Sequence, residues 1–228
     1  MSVRFTAADR RQQILEVATC LFAMRGFEGT TTRVIAEKAG VTEALIFRHF
    51  PSKQELYWAV IECKMNSVAP GQRLRAVLQV GGDDLDLFAR LACEILDRRA
   101  ADQTLSRLLL YSALENHELS HRFFTNYISS YYEVLSGFIQ QRIERGTFRE
   151  VDPLIAARSF LGMVIYHSWV QELFGGKHYQ SFNIDEVSRT IATIWLQGML
   201  AETSPAKPAK RNPKKSRESL SHVLVATS

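Results

Sequence analysis

Apolar residues recur along this chain at intervals of three and four rather than two. Ile14, Leu15, Ala18, Leu21 and Phe22 mark one face of a helix over residues 8–25, and Gly26 follows as its stop. A short second helix is predicted over 32–39 with Thr31 as N-cap. Gly40-Val41 makes a turn, and Thr42 caps a third helix over 43–49. Ser52-Lys53-Gln54-Glu55 reads as a capping box opening a fourth helix, through about Ser67, and Pro70-Gly71 breaks the pattern. Longer helices are predicted at about 72–79, 84–99, 103–115, 118–145, 153–174 and 184–202. Asp152-Pro153 places a cap before a proline at the first helical position, Gly175-Gly176 ends that helix, and Asn183 with Glu186 forms another capping pair. No alternating strand pattern and no repeat is visible, so the predicted fold class is all-α. The last stretch, 203–228, is rich in Pro, Lys and Ser and is expected to be disordered.

Composition agrees with helices. Among 228 residues, 46% are hydrophobic, while Gly and Pro number 12 and 6; that is enough for a real core in one or two domains. The net charge of +4 is unevenly spread. Residues 1–60 hold 8 Lys/Arg against 6 Asp/Glu, residues 61–202 hold 14 against 17, and residues 203–228 hold 6 against 1. The body is close to neutral, so any case for nucleic acid must rest on local placement. Cys20, Cys63 and Cys93 stand apart, which suggests a reduced, cytoplasmic protein with buried thiols. The N-terminus has no apolar run of the secretory kind. The most membrane-like run, residues 159–174, is too short to span and suits a buried or interface helix, so no membrane is expected.

The two short helices carry the most chemistry. Val41, Ile46 and Phe50 can share an inner face opposite Ile35 and Ala39. The small Ala36 and Ala39 permit a close crossing, which is helix-turn-helix logic. The third helix then turns Ala44, Leu45 and Arg48 outward on a rod that fits the major groove of DNA. Lys53, in the first turn of the fourth helix, opposes the helix dipole. It makes sense if a phosphate binds there, beside the free N–H groups.

Residues 14–60 resemble the N-terminal domain of the TetR family of transcriptional repressors. The matching pieces are Ile14-Leu15 with Ala18 and Leu21-Phe22, Gly26-Phe27, the run Thr30 to Ala36, Ala39 to Thr42, Ile46 to Phe50, and Ser52 to Leu56. The resemblance implies a DNA-binding head over 1–51 and a helical effector-binding and dimerisation domain over 52–202, whose first helix, 52–67, connects the two. It implies that Thr31, Thr32, Thr42, His49 and Lys53 hold phosphates, and that Arg33, Glu43, Ala44, Leu45 and Arg48 meet base edges. Phe47 departs from the family, which usually has tyrosine there to contact phosphate. Leu45 is also bulkier than the usual small residue. Glu43 either accepts from a cytosine amino group or serves as a favourable anion at the helix start.

The same resemblance implies a double-stranded operator, a homodimer through helices 153–174 and 184–202, and a small-molecule effector. Stripes at Phe160, Leu161, Val164 and Ser168 and at Ile191, Ile194, Trp195, Gly198 and Met199 suit either the dimer or an intramolecular core. The effector pocket is placed among residues 84–175. There Tyr111, Phe124, Tyr127, Tyr131, Tyr166, His167 and Trp169 offer aromatic bulk with polar tips, suited to an apolar or aromatic molecule or to plain packing.

One motif points elsewhere. His117-Glu118-Leu119-Ser120-His121 fits the HExxH pattern of zinc metallopeptidases. Asn116 puts His117 at a helix start, and Phe124 and Tyr127 stand where an extended motif needs glycine and histidine. A solvated first turn is the plainer reading, and neither metal nor cofactor is expected. The tail's Lys207, Lys210, Arg211, Lys214, Lys215 and Arg217 either add nonspecific attraction to DNA or serve solubility.

Overall fold

The computed structural model describes residues 6–115 and 118–201. The basic tail and His117 lie outside them. The described chain is built of helices: α1 (Ala7–Arg25), α2 (Thr32–Ala39), α3 (Glu43–His49), α4 (Lys53–Val68), α5 (Pro70–Val80), α6 (Asp84–Ala101), α7 (Thr104–Leu114), α8 (Glu118–Phe123), α9 (Ser129–Glu144), α10 (Pro153–Ser168) and α11 (Ile184–Met199). The cap residues read from the sequence set the starts. Side chains of Thr31, Thr42, Ser52, Asp152 and Asn183 each accept a backbone N–H of the following first turn.

Four expectations need correction. The break after α4 falls at Ala69, a non-glycine residue in the left-handed region with φ 46°; Pro70 is the first residue of α5, where its missing N–H costs nothing. The capping box at Ser52 is half made. Glu55 donates its N–H to Ser52 Oγ, but its carboxylate pairs with Arg122 at 2.9 Å. The helices predicted over 118–145 and 153–174 carry π-helical stretches, Phe124–Ile128 and Trp169–Leu173. The thiols are not buried: Cys20 and Cys63 are exposed and Cys93 is half-buried.

Two cores organise the molecule. The first packs Ile14, Phe22, Ile35, Ile46 and Phe50 of the head with Tyr57 and Ile61 of α4, and continues into Leu108 of α7 and Leu119 of α8. The second gathers α5, α6, α9, α10 and α11 around Phe88, Phe148, Phe160 and Trp195; the Trp195 indole donates to Ala156 O at 3.1 Å.

Helix α7 joins the head to the body. Its Arg107 Nε donates to Ala23 O at 2.6 Å, at the end of α1. Just beyond α7, the Glu115 carboxylate accepts from the N–H groups of Phe27 and Glu28 at 3.1 and 3.4 Å. Tyr57 donates its hydroxyl to Leu108 O at 2.6 Å. Gly26, at φ 74°, leaves room for this clasp; a Cβ there would collide with the Glu115 carboxylate and the Tyr111 ring.

Candidate nucleic-acid interface and ligand cavity

Three helix starts, at Thr32, Glu43 and Lys53, follow one another within 22 residues. Gly40 takes the left-handed conformation (φ 61°) and turns the chain from α2 into α3. Gln13 Nε2 donates to Ala39 O at 2.9 Å, holding that turn to α1. Ile46 and Phe50 are fully buried, which fixes the rotation of α3. Its remaining surface faces outward: Thr42, Glu43, Ala44, Phe47 and Arg48 are exposed, and Leu45 and His49 are half-buried. On α2, Arg33 is exposed, as is the N-cap Thr31, with Thr32 half-buried.

The polar groups of this face are partly committed. Thr31 Oγ1 accepts from Val34 N and Thr42 Oγ1 from Leu45 N, both at 3.2 Å; each hydroxyl keeps its hydrogen to donate. Thr32, by contrast, donates to the Glu43 carboxylate. Glu43 is therefore the first residue of α3, favourable to its dipole, and is tied to the start of α2. Lys53 is half-buried, with its ammonium 4.1 Å from the centre of the Phe27 ring. That cation–π contact holds the charge at the N-terminus of α4, where the sequence reading invokes a bound phosphate. The His49 Nε2 is buried and has no hydrogen-bond partner among the described residues.

A second candidate site lies in the body. A cavity of about 220 Å³ opens between α4, α6, α7, the α8–α9 segment and α10. Of the seven aromatic positions singled out in the sequence, Tyr127 and Tyr131 line it. The other five lie elsewhere. Tyr111 belongs to the α7 clasp, its hydroxyl donating to Met24 O at 3.3 Å. Phe124 and Tyr166 are exposed. His167 packs on Phe182 at 5.8 Å, and partial burial lowers its pKa. Trp169 is half-buried, with its indole nitrogen unpartnered. The π-helical stretch after α8 explains the selection. One extra residue in that turn shifts the helical register, and Phe123, Tyr127, Ile128, Tyr131 and Tyr132 all face the cavity.

Sequence reading missed Arg98 and Arg99, which also line this cavity. A signal was present. Arg99 continues the apolar stripe of α6 through Phe88, Ala92 and Ile95, so a charge falls where the period calls for a hydrophobe. Arg99 Nε donates to the buried Ser168 Oγ at 3.0 Å.

The stripes on α10 and α11 resolve into two faces. Phe160, Leu161, Val164, Ser168, Ile191, Trp195 and Met199 are buried within the chain and belong to its own core. Ile194 and Gly198 face outward, in line with exposed Ile155, Gly162 and Tyr166 of α10. The HExxH residues that are described show Glu118 opening α8 and His121 in its last turn. Among the described residues, no three His, Cys, Asp or Glu side chains gather as a metal would require. No described helix is long and apolar enough to cross a membrane.

Comparison with known proteins agrees with this geometry. The family described as bacterial regulatory proteins, tetR family, matches residues 14–60, and the C-terminal domain of AefR-like transcriptional repressors matches 85–197. The transcriptional repressor KstR2 of Rhodococcus jostii is 28% identical over 201 residues, covering 84% of this chain and 92% of that protein. The nucleoid occlusion factor SlmA of Vibrio atlanticus is 30% identical over 165 residues, covering 69% and 81%. Among solved structures, the regulator FadR of Bacillus subtilis in complex with stearoyl-CoA superposes with a TM-score of 0.63 at 19% identity, over 82% of this chain and 98% of that one.

Proposed function

The chain belongs to the TetR family and is a DNA-binding, ligand-responsive transcriptional regulator, and from that premise we propose that it is a repressor released from a palindromic operator by a small molecule. The observation that carries this reading is the exposed face of α3. It is a groove-sized rod whose rotation is fixed by buried Ile46 and Phe50, with a pinned cation, Lys53, at the next helix start. Arg33, Ala44, Leu45 and Arg48 read base edges. Thr31, Thr42, His49 and Lys53 hold phosphates. Glu43 serves the helix dipole and orders Thr32 instead of meeting a base, and Phe47 contributes apolar contact only.

The outward stripe of Ile155, Gly162, Tyr166, Ile194 and Gly198 supports a homodimer through α10 and α11. Small residues beside large ones let helices approach closely. A twofold axis there sets two copies of α3 on successive major grooves, and the protein works in the cytoplasm, where the DNA lies. The effector has an apolar or aromatic body and fills the cavity lined by Tyr127 and Tyr131. An occupant that fits the non-operator conformation better shifts the population and frees the DNA.

Selection of bound duplexes from a random library, at fixed low salt, tests the reading. The expected result is an inverted repeat with half-sites about one helical turn apart. Recovery of no preferred sequence would sink it.

A further inference from the structure

The cavity holds a charge that no described residue answers with an opposite one. Arg99 sits mostly buried in its wall with one hydrogen bond, to the neutral Ser168 hydroxyl, and forms no ion pair with any described residue. Beside it, Arg98 approaches Glu94 at 3.7 Å, beyond hydrogen-bond reach, and its Nη1 is buried without a partner among the described residues. Asp102 is the cavity's single lining carboxylate. It is already satisfied by Lys64 at 2.9 Å and by the Thr104 N–H at 2.8 Å. Burial, and then the neighbouring Arg98, pull the Arg99 guanidinium down to about 10, so it remains a cation at neutral pH. Burial also raises the Tyr131 phenol, which stays protonated as a donor in the same wall.

Buried guanidinium groups are ordinarily paired, because an unpaired buried charge is costly. Here Arg99 has no carboxylate partner among the described residues and Arg98 only Glu94 at 3.7 Å, in a wall that is otherwise mostly apolar. We infer that the cavity takes a compact organic carboxylate, with its anionic group on Arg99 and Arg98 and its apolar or aromatic body between Tyr127, Leu161 and Ile165. A cavity of 150 Å³ accepts benzene, so about 220 Å³ takes on the order of nine non-hydrogen atoms. That size suits a phenyl- or short-chain alkanoate. A coenzyme A thioester has no charge at its acyl carbonyl, and its phosphates sit on an arm far larger than about 220 Å³, so an acyl group seated in the cavity would bring no anion of its own. The inference rests on the cavity being the effector site.

Calorimetry on the full chain tests it with matched probes: phenylacetate, phenylacetamide and phenylacetyl-CoA, and hexanoate, hexanamide and hexanoyl-CoA. In at least one series the acid is expected to bind tenfold or more tightly than its amide and its thioester. Arg99→Gln should erase that preference and Arg99→Lys should keep part of it. Leu161→Trp, which fills the cavity, should abolish binding of every probe. Amides or thioesters that equal their acids, a preference that survives Arg99→Gln, or no binding by either acid overturns the inference. If neutral probes bind and Leu161→Trp removes them, the cavity stands as the effector site and only the carboxylate falls. If Leu161→Trp leaves acid binding unchanged, the cavity itself is the wrong place and both readings fail.

Discussion

The head and the cavity are built by opposite rules. Every residue proposed to touch DNA lies between Thr31 and Lys53, on elements whose starts and glycine turn are set by neighbours in sequence. The cavity draws Met65, Arg99, Leu109, Tyr131 and Leu161 from five helices spread over about a hundred residues. A site made of local structure can keep one geometry while the rest of the chain varies. A site made of packing changes whenever a helix rotates. The head is thus locally determined, and the cavity proposed to take the effector is determined by packing.

The comparison breaks most visibly at Ile46, the fully buried pivot of α3. Ile46→Ala should cost about 2–5 kcal/mol in denaturant unfolding and abolish operator binding, because the rod loses its fixed rotation. An unchanged midpoint would mean that α3 is not seated as described. Next comes Leu161→Trp. It should leave operator affinity within about twofold and raise the effector concentration needed for release more than tenfold, read by competition in a fluorescence-anisotropy assay; loss of DNA binding as well would show that the two regions are not separable in this way.

Within the head, the division between base and phosphate contacts can be sharpened. Arg33→Ala should lose about 1–3 kcal/mol of discrimination at one operator position. Lys53→Met, which keeps the aliphatic stem over Phe27, should weaken all sequences alike and reduce the salt slope by about one. Equal losses across base variants in both proteins would contradict that division.

The smallest effect belongs to the cavity rim. Burial raises the Asp102 pKa, but hydrogen bonds from Thr104 and Lys64 outweigh it and bring it down to about 2. A folded-state pKa below the unfolded value stabilises the protein above the ordinary carboxylate range, and that contribution is lost as pH falls toward 2. Half-exposed and screened by water, the Lys64 pair contributes at most about 1 kcal/mol. Asp102→Asn should lower the unfolding midpoint slightly at pH 7, with the difference shrinking as pH falls through about 2.

The same contrast explains what the sequence made legible. Caps at Thr31, Thr42, Ser52, Asp152 and Asn183 are local hydrogen bonds, and their positions were readable within a residue or two. The Thr32–Glu43 contact, the Lys53–Phe27 stack and the Arg122–Glu55 pair join residues 11 to 67 positions apart, and no periodicity announces them. Aromatic bulk was a poor guide to the cavity: the π-helical register shift admits Tyr127 and Tyr131 and leaves Phe124 outside. A charge on an apolar stripe, as at Arg99, was the better clue, because burial makes charge rare and residue size does not.

Helix α7 presents Leu105, Ser106 and Leu109 to the cavity, while its Arg107 and Tyr111 grip the end of α1. A single rod is wall on one flank and clamp on the other, which puts it in contact with both regions of the proposed release. By thermodynamic reciprocity, whatever factor the guest subtracts from operator affinity, the operator must subtract from the guest's. A genome offering many operators would then make the molecule measurably deafer to its own signal.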